Sequence, residues 1–148
     1  MKRNEFESYS AGSPVTAAGA RHVLLSYHYE DIGDFDGYAS LLADDVTFER
    51  PGTPPQHGRS AVLRARTAGA TPYRQHELVS VVAEGDVVVV LGRVVQSAPG
   101  AVRGTPHGVD FADVFHLSEH SLIRSCRRYY HVPACDGSAP SAADRGRP

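Results

Sequence analysis

Apolar residues recur along this chain with two different periods. Across residues 16–31 the apolar or near-apolar positions Ala20, Leu24 and Tyr27 fall three and four apart, the spacing of one helix face, and Thr16 is a suitable N-cap. Gly33 and Asp34 interrupt that pattern, and a short second helix is expected with Phe35, Tyr38, Leu41 and Leu42 inward. Residues 46–50 read as a short strand. Residues 51–58 (PGTPPQHG) read as loop, because their three prolines cannot donate to a ladder. Residues 60–68 read as a third, small helix. From Tyr73 onward the period drops to two, which predicts strands over 73–84, 87–97, 107–118 and 122–132. Gly85-Asp86 is a two-residue hairpin signal between the first pair. Helices first and an antiparallel meander afterwards is the α+β pattern.

Alternation nominates an interior. In 107–117 the greasier face carries Val109, Phe111, Asp113, Phe115 and Leu117, and Asp113 is its only charge. In 87–97 one face carries Val87, Val89, Leu91, Arg93 and Val95, with Arg93 the only charge. The opposite face (Val88, Val90, Gly92, Val94) is apolar too, so the strand is expected to be covered on both sides. An unbroken ladder from Gly85-Asp86 sets Leu78 opposite Arg93 and His76 opposite Val95, which puts His76 on the Arg93 face. A next hairpin centred near Arg103 sets Arg93 opposite Asp113. The last strand has two registers: Ser125, Arg127, Tyr129 and His131 inward, which is preferred, or Arg124, Cys126, Arg128 and Tyr130 inward. The helix-1 stripe ends in Asp31, an acid that either lies just past the helix end, capping the following turn, or is aimed at the same interior. The expected site therefore joins His76, Asp31 and Asp113 as the proton-moving groups. Tyr27, Phe48, Arg93, Phe111, Arg127 and Tyr129 are expected to contact substrate. An imidazole beside a carboxylate is suited to proton transfer at neutral pH.

Composition narrows the classes. A chain of 148 residues fits one domain, expected over 16–134, with a flexible lead at 1–15 and a disordered Ser/Ala/Gly/Pro-rich tail at 135–148. A net charge of −2 argues against a nucleic-acid binder. No apolar run approaches the roughly 18 residues of a membrane span. With no signal-like apolar segment at the start and two cysteines, a cytoplasmic location is expected. No metal or other cofactor is expected. His76-Glu77-Leu78-Val79-Ser80 lacks the second histidine of a zincin helix, His116 and His120 straddle a hairpin, and there is no phosphate loop or nucleophile elbow. Val88, Val90, Val94 and Val114 form an apolar outer patch in this register, which predicts a homodimer packed sheet to sheet.

Four strings carry a family resemblance, covering about residues 17–132. They are YHYEDIGDFDGYASLLADDVTF (27–48), RPGTPPQHGR (50–59), YRQHELVSVVAEGDVVVVLGRVV (73–95) and FADVFHLSEHSLIRSCRRYYHV (111–132). In this order they resemble the NTF2-like superfamily, and within it the SnoaL-like polyketide cyclases and the scytalone-dehydratase-like enzymes. The resemblance implies a cone: a strongly curved antiparallel sheet and three N-terminal helices around a pocket. In the dehydratase branch a catalytic His lies where His76 stands, and an Asp and a Tyr lie where Asp31 and Tyr27 stand. The epoxide-hydrolase branch is similar in its proline loop and in an Arg at Arg93. It has an acid where this chain has Val95, and Tyr and Asn where it has Phe48 and Arg50, which sets that mechanism aside. The implied activity is a cofactor-independent cyclase or dehydratase acting on an aromatic polyketide-type intermediate. A non-catalytic ligand-binding or dimerisation module and a cofactor-free oxygenase of a phenol are the alternatives.

Overall fold

The computed structural model describes residues 14–97 and 107–131. The lead before residue 14, the turn near Arg103 and the tail from 135 lie outside the described residues. Helix α1 spans Pro14–Ile32 and α2 Phe35–Ser40; β1 is Leu42–Glu49, β2 Gln56–His57 and α3 Arg59–Ala68. Strands β3 (Arg74–Glu84), β4 (Val87–Gln96), β5 (His107–Leu117) and β6 (Ile123–Tyr130) complete the order. Among the described residues no helix is long and apolar enough to cross a membrane.

Local chemistry explains the breaks. Helix α1 begins at Pro14, so Thr16 lies inside its first turn and its hydroxyl reaches the Gly85 carbonyl at 3.4 Å instead of capping the helix. The far end stops at Gly33, whose φ of 75° suits a residue without Cβ, and Asp34 N–H closes the turn on the Tyr29 carbonyl at 2.9 Å. The Asp34 carboxylate then accepts from Gly37 N–H at 2.9 Å and starts α2. The proline segment yields a strand only after its last proline: Gln56 and His57 pair antiparallel with Phe48 and Thr47. Gly85, at φ 59°, makes the tight β3–β4 turn.

The fold is α+β: a curved, unclosed six-stranded sheet in the order β2-β1-β6-β5-β4-β3, with the helices at its N-terminal side. Pairing along the meander is antiparallel, but β1 runs parallel to β6, so the sheet is mixed. Alternation of neighbouring strands carries no information about that long-range pairing. The core gathers Val23 and Tyr27 of α1, Tyr38 of α2, Val62 of α3 and the inner residues of the strands, among them Leu42, Val46, Val88, Val90, Phe115 and Ile123.

Two bulges decide which side chains enter that core. In β3 the ladder slips at Val79: Glu84 faces Val87 as the turn dictates, but Leu78 faces Gly92 and His76 faces Val94. Because a one-residue slip exchanges the two faces, His76 and Leu78 enter on the same side as Val81, and Val79 is left 77% exposed. Val88 and Val90 are therefore interior, at 0% exposure, and Arg93 points outward. Gly92 lies in the inner row, where a Cβ would come within 2.8 Å of the Phe111 ring; its absence makes room for that ring. In β6 the slip falls at Arg124: Leu117 faces Ile123, yet His116 faces Ser125. Cys126, Arg128 and Tyr130 thus turn inward, and the preferred set with Arg127 and Tyr129 turns out.

Candidate active site

His76 enters the interior from β3 and meets the last turn of α1. Its Nδ1 lies 2.6 Å from Asp31 Oδ1, and its backbone N–H donates to Asp31 Oδ2 at 3.1 Å. A carboxylate only accepts, so Nδ1 carries a proton, and in the neutral ring Nε2 is the acceptor. The imidazole is 3% exposed and the Asp31 side chain 20%. The rings of Tyr27, at 5.1 Å, and Phe111, at 5.8 Å, meet it edge to face and fix its plane.

A second network sits deeper. Asp113 receives Arg128 through two parallel bonds, Nε to Oδ1 at 2.8 Å and Nη2 to Oδ2 at 2.7 Å. Tyr27 donates its hydroxyl to the same Oδ2 at 2.6 Å. Arg128 also stacks 4.2 Å above the Phe111 ring. Burial opposes the Arg128 charge, but Asp113 outweighs it and raises the guanidinium above its ordinary range. Burial, then the Asp113 charge, push the Tyr27 hydroxyl well above its usual 10.0, so Tyr27 stays neutral.

The structure thus brings together His76, Asp31, Tyr27, Asp113, Phe111 and Phe48, all on interior surfaces. It does not bring Arg93, Arg127 or Tyr129 to them. Arg93 faces Asp110, not Asp113, because β4 and β5 pair Val90 with Asp113; the Arg93–Asp110 pair is 3.7 Å apart with both side chains half or more exposed. Arg127 lies on the outer face, bound to Glu49 with Nε at 2.8 Å, and Tyr129 is 50% exposed. Asp113 is committed to Arg128 and Tyr27, so Asp31 alone of the two acids orients His76.

Two interior residues escaped the sequence reading. Arg66 of α3 donates to Glu30 of α1 at 3.2 Å, with each side chain 14% exposed, and lies 4.7 Å over the Phe48 ring. The signal was available: Arg66 follows buried Val62 by four residues, and Glu30 follows buried Tyr27 by three. Burial alone would raise the Glu30 carboxyl, but the Arg66 charge, with help from His76, Arg128 and Arg74, holds it below 4.5. A carboxyl depressed in the folded state stabilises the fold above its unfolded pKa and loses that contribution as pH falls through the folded value. Glu30→Gln is therefore expected to cost about 1.5–3 kcal/mol at pH 7. The gap to wild type should close below about pH 4.5, as read by urea unfolding across pH.

Two small clefts, each with room for about one water, open beside these groups. One is lined by Glu30, Asp31, Phe35, Arg66, Ala70, Thr71, Arg74 and His76. The other is lined by Phe48, Glu49, Arg50, Gln56, Arg66, Cys126 and Arg128. Arg66 walls both. Burial pushes the Cys126 thiol well above 9.0, so it serves as a neutral, apolar wall. Among the described residues no group of three or more His, Cys, Asp or Glu is placed to hold a metal ion.

An open curved sheet, N-terminal helices and a His–Asp pair between them define a small α+β pocket protein. The chain belongs to the SnoaL-like domain family, which matches residues 26–125. Among solved structures it is similar to a proposed ketosteroid isomerase from Kribbella flavida, with a TM-score of 0.70 at 15% identity over 90% of this chain and 92% of that one. A proposed SnoaL-like polyketide cyclase from Jannaschia sp. CCS1 gives a TM-score of 0.69 at 17% identity, covering 82% of this chain and 91% of that one. Bal32a, from a soil-derived mobile gene cassette, gives 0.66 at 19% identity over 79% and 92%. At these identities the likeness is one of fold.

Proposed function

We propose that this protein is a cofactor-independent enzyme of lyase or isomerase type, a cyclase or dehydratase that works on an aromatic polyketide-type substrate by acid–base catalysis. The observation that carries the reading is the 2.6 Å contact between His76 Nδ1 and Asp31 Oδ1 at the wall of a cleft. With Nδ1–H given to Asp31, Nε2 takes a proton from an acidic C–H or O–H of the substrate. Asp31 stabilises the imidazolium that results, and the same nitrogen returns the proton to a second carbon, to oxygen or to a departing hydroxyl. Tyr27 and Phe111 hold the ring in place. Tyr27 spends its own proton on Asp113, and so acts here by positioning. A cytoplasmic setting, the expectation from the sequence, suits such a substrate.

Solvent exchange tests the proposal. In D2O the enzyme is expected to speed deuterium uptake at the activated methylene of an aryl β-keto ester, followed by proton NMR. Exchange no faster than in buffer alone, across a panel of such compounds, would overturn acid–base chemistry and favour a ligand-binding module.

We also infer that two copies pair through the outer sheet face, although not through the patch expected from the sequence. Val88 and Val90 are interior and Val94 packs against the core, so Val114 alone of that set lies outside. The outer face instead joins Val82, Val89 and Val114 in one row and Leu91, Ala112 and Tyr129 in the next. Val82, Leu91 and Tyr129 are 61%, 45% and 50% exposed. Arg93 with Asp110 and Arg127 with Glu49 flank this surface with both signs of charge, which suits a self-complementary two-fold contact. Sedimentation is expected to give a dimer at micromolar concentration, and Val82→Lys with Leu91→Glu a monomer. A wild-type monomer would count against the pairing.

A further inference from the structure

The imidazole of His76 is 3% exposed, and the cleft it lines has room for about one water. A substrate carbon cannot approach Nε2 through such a gap, so reaction at His76 requires part of the surrounding wall to move. Most of that wall is fixed. Asp31 ties β3 to α1 through the ring and the backbone N–H of His76. Arg66 ties α3 to α1 through Glu30. Phe35 belongs to α2, which is anchored in the core by Tyr38.

The exception is the connection between α3 and β3, residues 69–73, which supplies Ala70 and Thr71 to the cleft. Gly69, Ala70, Pro72 and Tyr73 are exposed and Thr71 is half-buried, and none of them joins the core. Its hydrogen bonds are mostly local. Ala70 N–H donates to the Thr67 carbonyl at 3.2 Å, Tyr73 N–H to the Thr71 hydroxyl at 3.3 Å, and Arg74 N–H to the Thr71 carbonyl at 3.3 Å. At the far end the Tyr73 carbonyl accepts from Ser97 N–H at 2.8 Å, which pins that residue just past the end of β4. One side chain straps the rest. Arg74 Nη2 donates to the Gly69 carbonyl at 2.5 Å, across the base of the connection, and Arg74 itself lines the cleft. A segment with few buried apolar contacts opens at much lower cost than the packed elements beside it.

We propose that residues 69–73 are a lid over His76, closed in this structure, with the bond from Arg74 to Gly69 as its latch. Opening swings Ala70 and Thr71 away from the cleft about two ends, Gly69 at the C-cap of α3 and Tyr73 beside Ser97. The Asp31–His76 and Glu30–Arg66 pairs stay intact, because none of the moving residues belongs to either. Reclosing over a bound substrate keeps water from Nε2. That the lid serves substrate entry rests on the acid–base reading above; the opening itself does not.

Diethyl pyrocarbonate acylates a neutral imidazole at its free nitrogen and is far larger than a water, so it reports the opening without substrate or turnover. Mass spectrometry of the full chain after short exposures reads His76 apart from the other histidines. Arg74→Met, which removes the latch, is expected to speed His76 modification by about fivefold or more. That variant also takes atoms out of the cleft. Pro72→Gly does not, since Pro72 is exposed and lines neither cleft; it only loosens the connection, and a gain of about two- to fivefold is expected. His22, half-buried on α1 against the Ser121 carbonyl, should react at the wild-type rate in both. Unchanged His76 modification in Pro72→Gly, or a parallel rise at His22, would overturn the lid. Deuterium uptake by the aryl β-keto ester is read separately. Faster modification of His76 without uptake leaves the lid standing and removes the acid–base reading, whereas uptake with unchanged modification does the reverse.

Discussion

His76→Ala is expected to keep the fold and lose at least about a hundredfold in turnover, the lower end of what a positioned acid–base group contributes. Asp31→Asn should be nearly as damaging for a different reason. Asparagine can offer its amide nitrogen to Nδ1, which favours the tautomer with the proton on Nε2 and removes the acceptor from the substrate side. The negative charge that stabilises the imidazolium is lost as well. The backbone N–H of His76 still needs a partner, and the asparagine carbonyl can serve it, so β3 stays docked on α1. His76→Gln, with a side chain closer in size, controls for the space left by an imidazole that is 3% exposed. Circular dichroism checks each variant before turnover is compared. Unchanged turnover in a folded His76→Ala protein would falsify the acid–base role.

The largest loss of stability is expected from Asp113→Ala, about 3–5 kcal/mol by urea unfolding at pH 7. The Arg128 side chain is 10% exposed and gives both Nε and Nη2 to that carboxylate. Removing Asp113 leaves a charge in the interior with no acid to face, and strands the Tyr27 hydroxyl too. Removing both charges should be far milder than removing one, because an apolar pair of similar volume carries no desolvation penalty. Asp113→Leu combined with Arg128→Met is accordingly expected to recover most of the loss. A double variant as unstable as Asp113→Ala would place the energy in packing and not in the ion pair. Arg93→Ala, by contrast, should be close to neutral, since its partner Asp110 is exposed and 3.7 Å away.

That contrast between Arg128 and Arg93 marks where periodicity stops being informative. The α1 stripe was legible: Ala20, Leu24, Tyr27 and Asp31 share a face, because helix geometry repeats rigidly over about three turns. The inner face of β5 was legible over most of its length: Phe111, Asp113, Phe115 and Leu117 alternate without interruption and are buried, while Val109, expected on the same face, is 47% exposed. His76 was placed correctly inside, but by a faulty route. An unbroken β3–β4 ladder would have carried Arg93 in with it, and the bulge at Val79 lets His76 in while turning Arg93 out. Strand β4 could not correct the error, as valines occupy both of its faces.

The sequence by itself determined the order of elements, the Gly33-Asp34 and Gly85-Asp86 breaks, and the presence of one imidazole and two acids on inward-facing stretches. These follow from local rules: turn chemistry, proline's missing donor, and the two periods of helix and strand. Only the tertiary structure decided which arginine meets Asp113, that Arg66 and Glu30 enter the interior, and that β1 runs parallel to β6. Each depends on a one-residue slip or a long-range pairing whose local cost is small. The choice is made by what the whole core gains: Val88 and Val90 inside, room for Phe111 at Gly92, and a carboxylate for each of the buried guanidiniums of Arg66 and Arg128.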